Sequence, residues 1–268
     1  MAVQKKVTKG VAIVRWDEKF AAAAKASKEK YKNVGGGVQT VKFAANRITY
    51  QGADVPGGRM NVIVLGDCFL HAYYAGKIYD PEDIQPPVCY ALSEFLEDMA
   101  PHAECQEAQS STCAECEHNQ FGSAATGRGK SCQDVVRIAV ISANDAEDGD
   151  TVRTAEIVQA KIPVTSVKNW AAYVKGLDGR PPWSVVTAIA ALPEKNYYRL
   201  EFKLVETIDD NDILTALEAR TGEKVQEYLQ QPYAPPTEKP AKAAKPAAGR
   251  SNAKFAAKPA VGRGAVKR

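Results

Sequence analysis

The thiols are the most chemically specific side chains in this sequence. Cys113-Ala-Glu-Cys116 sets two of them in one tight turn. A Cys-x2-Cys turn can grip one tetrahedral metal ion while a second pair of ligands comes from elsewhere in the chain. Cys132 is a candidate third donor. Cys89 and Cys105 compete for the fourth place, and spacing does not separate them. Zinc is the metal that such a donor set favours. Cys68 lies inside an apolar run and reads as a buried free thiol. His102 and His118 are weaker candidates, because His118 follows Cys116 too closely for comfortable chelation.

Between Cys116 and Cys132 lie Gly122, Gly127 and Gly129, with Arg128 and Lys130 beside them. This is a glycine-rich cationic loop tied down at both ends, and an anionic backbone is its natural partner. Its segment Ala124–Ser131 (AATGRGKS) fits a permissive phosphate-loop pattern with Ala in place of the first Gly. That chemistry needs a strand before the loop and a helix N-terminus after it. Here a cysteine turn precedes, and Cys132 with a β-branched run follows, so nucleotide hydrolysis is not expected. There is no H-E-x-x-H or G-x-S-x-G motif, and only three histidines. The sequence carries no catalytic constellation and does not read as an enzyme. Asn144–Asp150 (NDAEDGD) matches a calcium loop only loosely, with Gly149 misplaced and no closing Glu, and reads as a hairpin turn.

The elements that must position these residues are mostly strands. The alternation predicts strands at 38–43, 47–50, 60–66, 69–74, 135–142, 155–162, 183–191 and 197–205. Ala91–Ala100 (ALSEFLEDMA) has the composition of a short helix, and residues 17–32 of another. Ser166 and Gly176 bracket a predicted helix over 167–176. Residues 211–229 form an amphipathic helix that Thr221-Gly222 can divide. Lys42, Arg47, Arg59 and Lys77 interleave with Phe43, Tyr50, Phe69, Tyr73 and Tyr79 along the early strands. Aromatic rings alternating with cations are what stacking onto unpaired bases requires. The competing reading is that most of these rings belong to the core.

The chain has 268 residues, 45% of them hydrophobic, enough to bury a core. Its N-terminus (MAVQKKVTKG) is polar and basic, without a secretory apolar stretch, and no apolar run approaches the roughly 20 residues that span a bilayer. An intracellular, reducing setting is expected, in which clustered cysteines favour metal over disulfide. The net charge of +3 hides an asymmetry: residues 233–268 hold nine Lys/Arg and one acid, which leaves 26 basic against 31 acidic residues for the rest. That C-terminal stretch of Pro, Ala, Lys and Gly has almost no hydrophobic anchor and should not order by itself.

Tyr79-Asp80, Pro87-Val-Cys89-Tyr90, Cys113-Ala-Glu-Cys116, Asn119-Gln-Phe-Gly-Ser123 and Gly129-Lys130-Ser131-Cys132, followed by the Arg137-Ile-Ala-Val-Ile141 strand, resemble a group of tailed-phage single-stranded DNA-binding proteins. The later Ile162-Pro-Val-Thr-Ser166 and 197–205 segments are also similar, so that the resemblance covers roughly residues 35–210. It implies an OB-like core with a zinc-ribbon insertion, Cys89, Cys113, Cys116 and Cys132 as the Zn2+ ligands with Cys105 left over, and a place in the cytoplasm of a bacterial host. The chain departs from many phage and bacterial single-strand binders in ending in a basic tail instead of an acidic one. Recruitment of partners through the C-terminus is therefore not expected, and added affinity for phosphate is.

The expected fold is mainly β (α+β): an N-terminal arm (1–34), an OB-like small barrel (35–232) with a four-cysteine zinc-ribbon insertion at about 81–134 and a C-terminal helix, then a disordered basic tail (233–268). The expected function is sequence-independent single-stranded DNA binding in phage DNA replication or recombination, alongside phage replication proteins, with no membrane and no small-molecule substrate. Phe43, Tyr50, Phe69 and Tyr73 are the candidate stacking rings, and Lys42, Arg47, Arg59, Arg128 and Lys130 the candidate phosphate partners. The alternative is a zinc-ribbon adaptor that binds a host or phage replication or transcription protein, which the acidic body favours. If the tail neutralises phosphates, removing residues 233–268 will lower DNA affinity and flatten its salt dependence by about one unit of slope for each phosphate no longer neutralised. Binding titrations over a salt series check this, and an unchanged slope removes the tail from the mechanism.

Overall fold

The run from Arg59 to Tyr73 is apolar at nearly every position of its first half and alternates in its second, and it forms one strand of 15 residues. The computed structural model describes residues 39–75, 85–195 and 197–233, all within one unit, Met1–Ala234. The expected arm (1–34), the helix at 17–32, Lys77, Tyr79 and the tail beyond Tyr233 lie outside the described residues. Among the described residues the strands are β1 (Thr40–Ala44), β2 (Arg47–Tyr50), β3 (Ala53–Asp54), β4 (Arg59–Tyr73), β5 (Cys89–Ser93), β6 (Gln133–Ser142), β7 (Val158–Ile162), β8 (Val185–Pro193) and β9 (Tyr198–Thr207). They form one mixed sheet in the order β3-β2-β1-β7-β6-β4-β8-β9, with β5 beside β4. Of these described strands only β1 and β7 pair in parallel. The fold is thus mainly β, and its described helices are α1 (Gly149–Thr154), α2 (Val167–Lys175), α3 (Asn211–Glu218) and α4 (Glu223–Leu229).

β4 organises the sheet. It pairs with β6 along most of its length, with β8 through Arg59–Val62, and with β5 through Phe69–Tyr73. The register against β6 shifts between Val64 and Gly66. Because side chains alternate with period two, the shift moves the odd-numbered residues Phe69, His71 and Tyr73 onto the face that Met60, Val62 and Val64 occupy before it. On that face, Val41, Ile48, Val62, Ile138, Val158, Ile189 and Leu200 pack into one core with Trp170 of α2. Residues from both ends of the sheet share this core, and the Asn46 amide at the β1–β2 turn donates to the Ala191 carbonyl of β8 at 3.0 Å. The sheet is therefore curled. On the other face, Ile63, Leu65, Cys68 and Ile141 pack against α1, α3 and α4 through Val152, Leu217, Val225 and Leu229.

The end of α4 is held by polar groups from the sheet. Arg137, 3% exposed, donates through Nη1 to the Leu229 and Gln231 carbonyls at 2.8 Å each, and Gln159 donates to the Tyr228 carbonyl at 2.6 Å. These are carbonyls that a helix cannot satisfy internally.

Four sequence expectations change. The predicted strands at 60–66 and 69–74 are one strand. Ala91–Ala100 is not a helix: its first residues pair with the edge of β4 as β5, and Leu96–Asp98 make a 3-10 turn. Pairing with a strand already in place outweighs weak helix propensity. The stretch at 144–150 is more than a hairpin turn. It holds a 3-10 turn and the start of α1, with Asp148 and Thr151 forming a reciprocal capping box. Ser166 precedes α2, but its hydroxyl accepts the Leu200 amide at 2.8 Å and does not cap the helix. The division of the last helix at Gly222 is as expected.

Gly66 lies beneath α4, and a Cβ there would stand 2.9 Å from Val225 Cγ1. Gly66→Val should therefore lift α4 and cost about 1–3 kcal/mol. Denaturant unfolding checks this, and Val225→Ala in the Gly66→Val background should recover part of the loss.

Candidate functional site

The second half of β4 is the floor of the cysteine site. Tyr73 pairs with Cys89 on β5, and Ala72 pairs with Gln133 on β6, so Cys132 enters directly beside it. Cys113 and Cys116 come from the segment above. The Cys113 amide donates to the Met99 carbonyl at 3.0 Å, the Asn119 side chain donates to the Cys113 carbonyl at 2.8 Å, and the Cys132 amide donates to the His118 carbonyl at 2.9 Å. Hence both ends of the glycine loop are pinned to one turn. Cys89, Cys113, Cys116 and Cys132 are each 8% exposed, and all four line one cavity with His71, Tyr73 and Asn119.

Burial pushes the Cys89 and Cys113 thiols up to about 11 and Cys132 to about 12, and the neighbouring thiols add to each shift. Buried thiols that raise one another in this way suit a divalent, thiophilic cation, which would hold them as thiolates. Their arrangement is not yet a closed ligand set: among the described residues no three Cys, His, Asp or Glu side chains are grouped at metal-holding geometry. Cys105 does not line the cavity. Its Sγ exchanges hydrogen bonds with the Tyr90 amide and carbonyl, each at 3.1 Å. Cys68 is on the opposite face, where burial pushes it up to about 12.

A polar chain runs beside the cysteines. His71 Nε2 lies 3.2 Å from Asp134 Oδ1, and Lys130 Nζ lies 3.0 Å from Asp134 Oδ2 and 3.1 Å from Asn119 Oδ1. Burial lowers the His71 pKa against the opposing pull of Asp134. His71 Nδ1 is buried and has no hydrogen-bond partner. His118 stacks on Tyr73, with centroids 4.0 Å apart and planes 11° apart. His102 stacks on Tyr90 and accepts the Glu104 amide at 3.1 Å.

The nine residues proposed to meet DNA are not brought to one surface. Facing pairs Lys42–Thr49 and Ala44–Arg47 alternate with Phe43–Ile48. The pleat therefore sends Lys42 and Arg47 outward and Phe43 and Tyr50 inward, where Phe43, Tyr50 and Phe69 pack against the main core. One face of Tyr73 is covered by His118. Arg47 is paired with Asp54 at 2.9 Å, and Arg59 is exposed at the start of β4. Lys130 is engaged by Asn119 and Asp134, whereas Arg128 is exposed and makes no ion pair among the described residues.

Phe121, absent from the sequence candidates, is 84% exposed and has Lys130 Nζ 5.7 Å from its ring centroid. Phe95 and Leu96 are also open, at 57% and 54%. The local composition of Asn119-Gln-Phe-Gly-Ser123 was the available signal for Phe121: a ring amid polar and glycine residues has no apolar periodicity to bury it. The charge of the insertion was legible as well. Between Cys89 and Cys132 stand Glu94, Glu97, Asp98, Glu104, Glu107, Glu115 and Glu117 against Arg128 and Lys130.

The fold and site together define a curled-sheet protein with four buried cysteines lining one cavity at one end of its concave face. No protein-family model, curated protein or solved structure matches the chain.

Since Lys130 is half-buried and doubly bonded, Lys130→Ala should destabilise the protein by about 1 kcal/mol. Arg128→Ala should change stability by less than about 0.5 kcal/mol. Denaturant midpoints of the two variants check the contrast.

Proposed function

We propose that this chain is a zinc-knotted, non-enzymatic single-stranded DNA-binding protein. The observation that carries the reading is the convergence of Cys89, Cys113, Cys116 and Cys132 on one cavity beneath a pinned loop whose Phe121 ring and Arg128 guanidinium are open. Zinc held by these four thiols would fix that loop as a zinc-ribbon insertion on an OB-like barrel. Phe121 would stack on an unpaired base, Arg128 would meet the adjoining phosphate, and the nine cations of the tail would add sequence-independent attraction. The resemblance to tailed-phage single-strand binders supports the same reading and sets it in replication or recombination in the cytoplasm of a bacterial host. Among the described residues no helix is long and apolar enough to cross a membrane.

A second reading, a zinc-ribbon adaptor for a replication or transcription protein, is favoured by the acids of the insertion and by the open Phe95 and Leu96. Fluorescence anisotropy of a labelled single strand, and of duplex of the same sequence, separates the two. The DNA reading expects the full chain to prefer the single strand with a steep salt dependence. It also expects Phe121→Ala to cost about 1–3 kcal/mol of that affinity. Equal weak binding to both forms, unchanged by Phe121→Ala, rejects it in favour of the adaptor.

A further inference from the structure

We propose that His71 is a fifth donor of the cysteine site, able to take the metal through Nδ1 in place of Cys89. The inference rests on the reading of that site as a metal centre. His71 is 6% exposed, lines the cavity with the four thiols, and holds a buried Nδ1 with no partner. Its other nitrogen lies 3.2 Å from Asp134 Oδ1. A metal-binding histidine ordinarily donates its second N–H to a carboxylate, which sets the tautomer and leaves the first nitrogen as a bare lone pair. Asp134 stands within reach of that role here, and Lys130, 3.0 Å from the same carboxylate, holds it in turn. A buried ring nitrogen without a partner is costly unless something binds it.

Register sets His71 near two of the thiols, Cys89 on β5 and Cys132 just before β6, and of these two it is Cys89 that has another partner. On the concave face Tyr73 pairs with Cys89, and His71 pairs with Ala91, two residues further along β5. His71 and Cys89 are thus diagonal neighbours on adjacent strands. Cys89 is also the thiol with an alternative partner, because it lies against Cys105, whose own Sγ is anchored to the Tyr90 backbone. A metal ion with four places therefore meets five donors. The sheet floor offers Cys89, Cys132 and His71, and the turn above offers Cys113 and Cys116. The exchange swaps one thiolate for one neutral imidazole and leaves Cys89 beside Cys105.

The test uses the full chain loaded with cobalt(II), whose absorption bands distinguish four sulfur ligands from three sulfurs and one nitrogen. Wild type and His71→Gln should each hold one cobalt with the four-sulfur spectrum. Cys89→Ser should still hold one, with bands shifted to the mixed set. Cys89→Ser with His71→Gln should hold none. Asp134→Asn in the Cys89→Ser background should weaken cobalt affinity about 10- to 100-fold, read by competition with a chromogenic chelator. Loss of cobalt in Cys89→Ser, whether or not that variant folds, overturns the proposal, as does retention in the double variant. A wild-type chain that binds neither cobalt nor zinc removes the metal centre itself, and this inference with it.

Discussion

Both cores and the cysteine site hang on the pairing of β4. One strand serves all three because its register slips once, between Val64 and Gly66. Before the slip, Met60, Val62 and Val64 build the concave core and Ile63 and Leu65 the opposite one. After it, the concave side carries Phe69, His71 and Tyr73, and the apolar demand passes to Cys68, Leu70 and Ala72 behind. Without the slip, even-numbered residues would face the concave side along the whole strand, and the histidine beside the thiols would face the helices instead. The slip lies between the stretch of β4 that pairs with β8, Arg59–Val62, and the stretch that pairs with β5, Phe69–Tyr73. The site thus occupies a stretch of β4 whose edge β8 has left, and β5 brings the first cysteine to it.

The helical side secures that geometry. Gly66 lets Val225 approach the sheet, and Arg137, the β6 partner of Cys68, reaches across to the carbonyls at the end of α4. A guanidinium this buried is costly to desolvate, and it is tolerated where carbonyl acceptors meet it. Its charge also lies 5.0 Å from the Tyr233 ring, with Lys161 Nζ 3.1 Å from the hydroxyl of the same residue. The start of the C-terminal segment is therefore fixed against the sheet at a site of concentrated positive charge.

Strand existence was legible because period-two alternation is a local property, and the thiol pattern was legible because chelation demands spacing. What sequence could not supply is which face each residue takes relative to its partners. Lys42 next to Phe43 looks like a mixed surface when read along the chain, yet adjacent residues of a strand point to opposite sides. The ring goes to the core and the cation to solvent. β5 was misread for a related reason: ALSEFLEDMA has helix-compatible composition, and only the free edge of β4 makes its first residues a strand. His71 lies in a predicted strand where nothing along the sequence marks it as a donor. Its pairing with Asp134 joins residues 63 positions apart, visible only once β4 and β6 are in register.

On the proposed DNA-binding reading, charge would divide the labour between parts of the chain. Attraction to phosphate comes from local cations, and at physiological salt it is screened beyond about 8 Å. A loop with two cations, one of them already held by Asp134, within an insertion carrying seven acids cannot neutralise many phosphates. What the loop has to offer is an uncovered ring on a pinned scaffold, and stacking on an aromatic face is indifferent to sequence and less dependent on net charge. The nine cations of the tail have the opposite character: abundant charge, and little apolar surface with which to discriminate one strand from two. On the proposed reading, preference for the unpaired strand would then come from the loop and strength at low salt from the tail. The two properties should be separable, because no residue named for one is needed for the other.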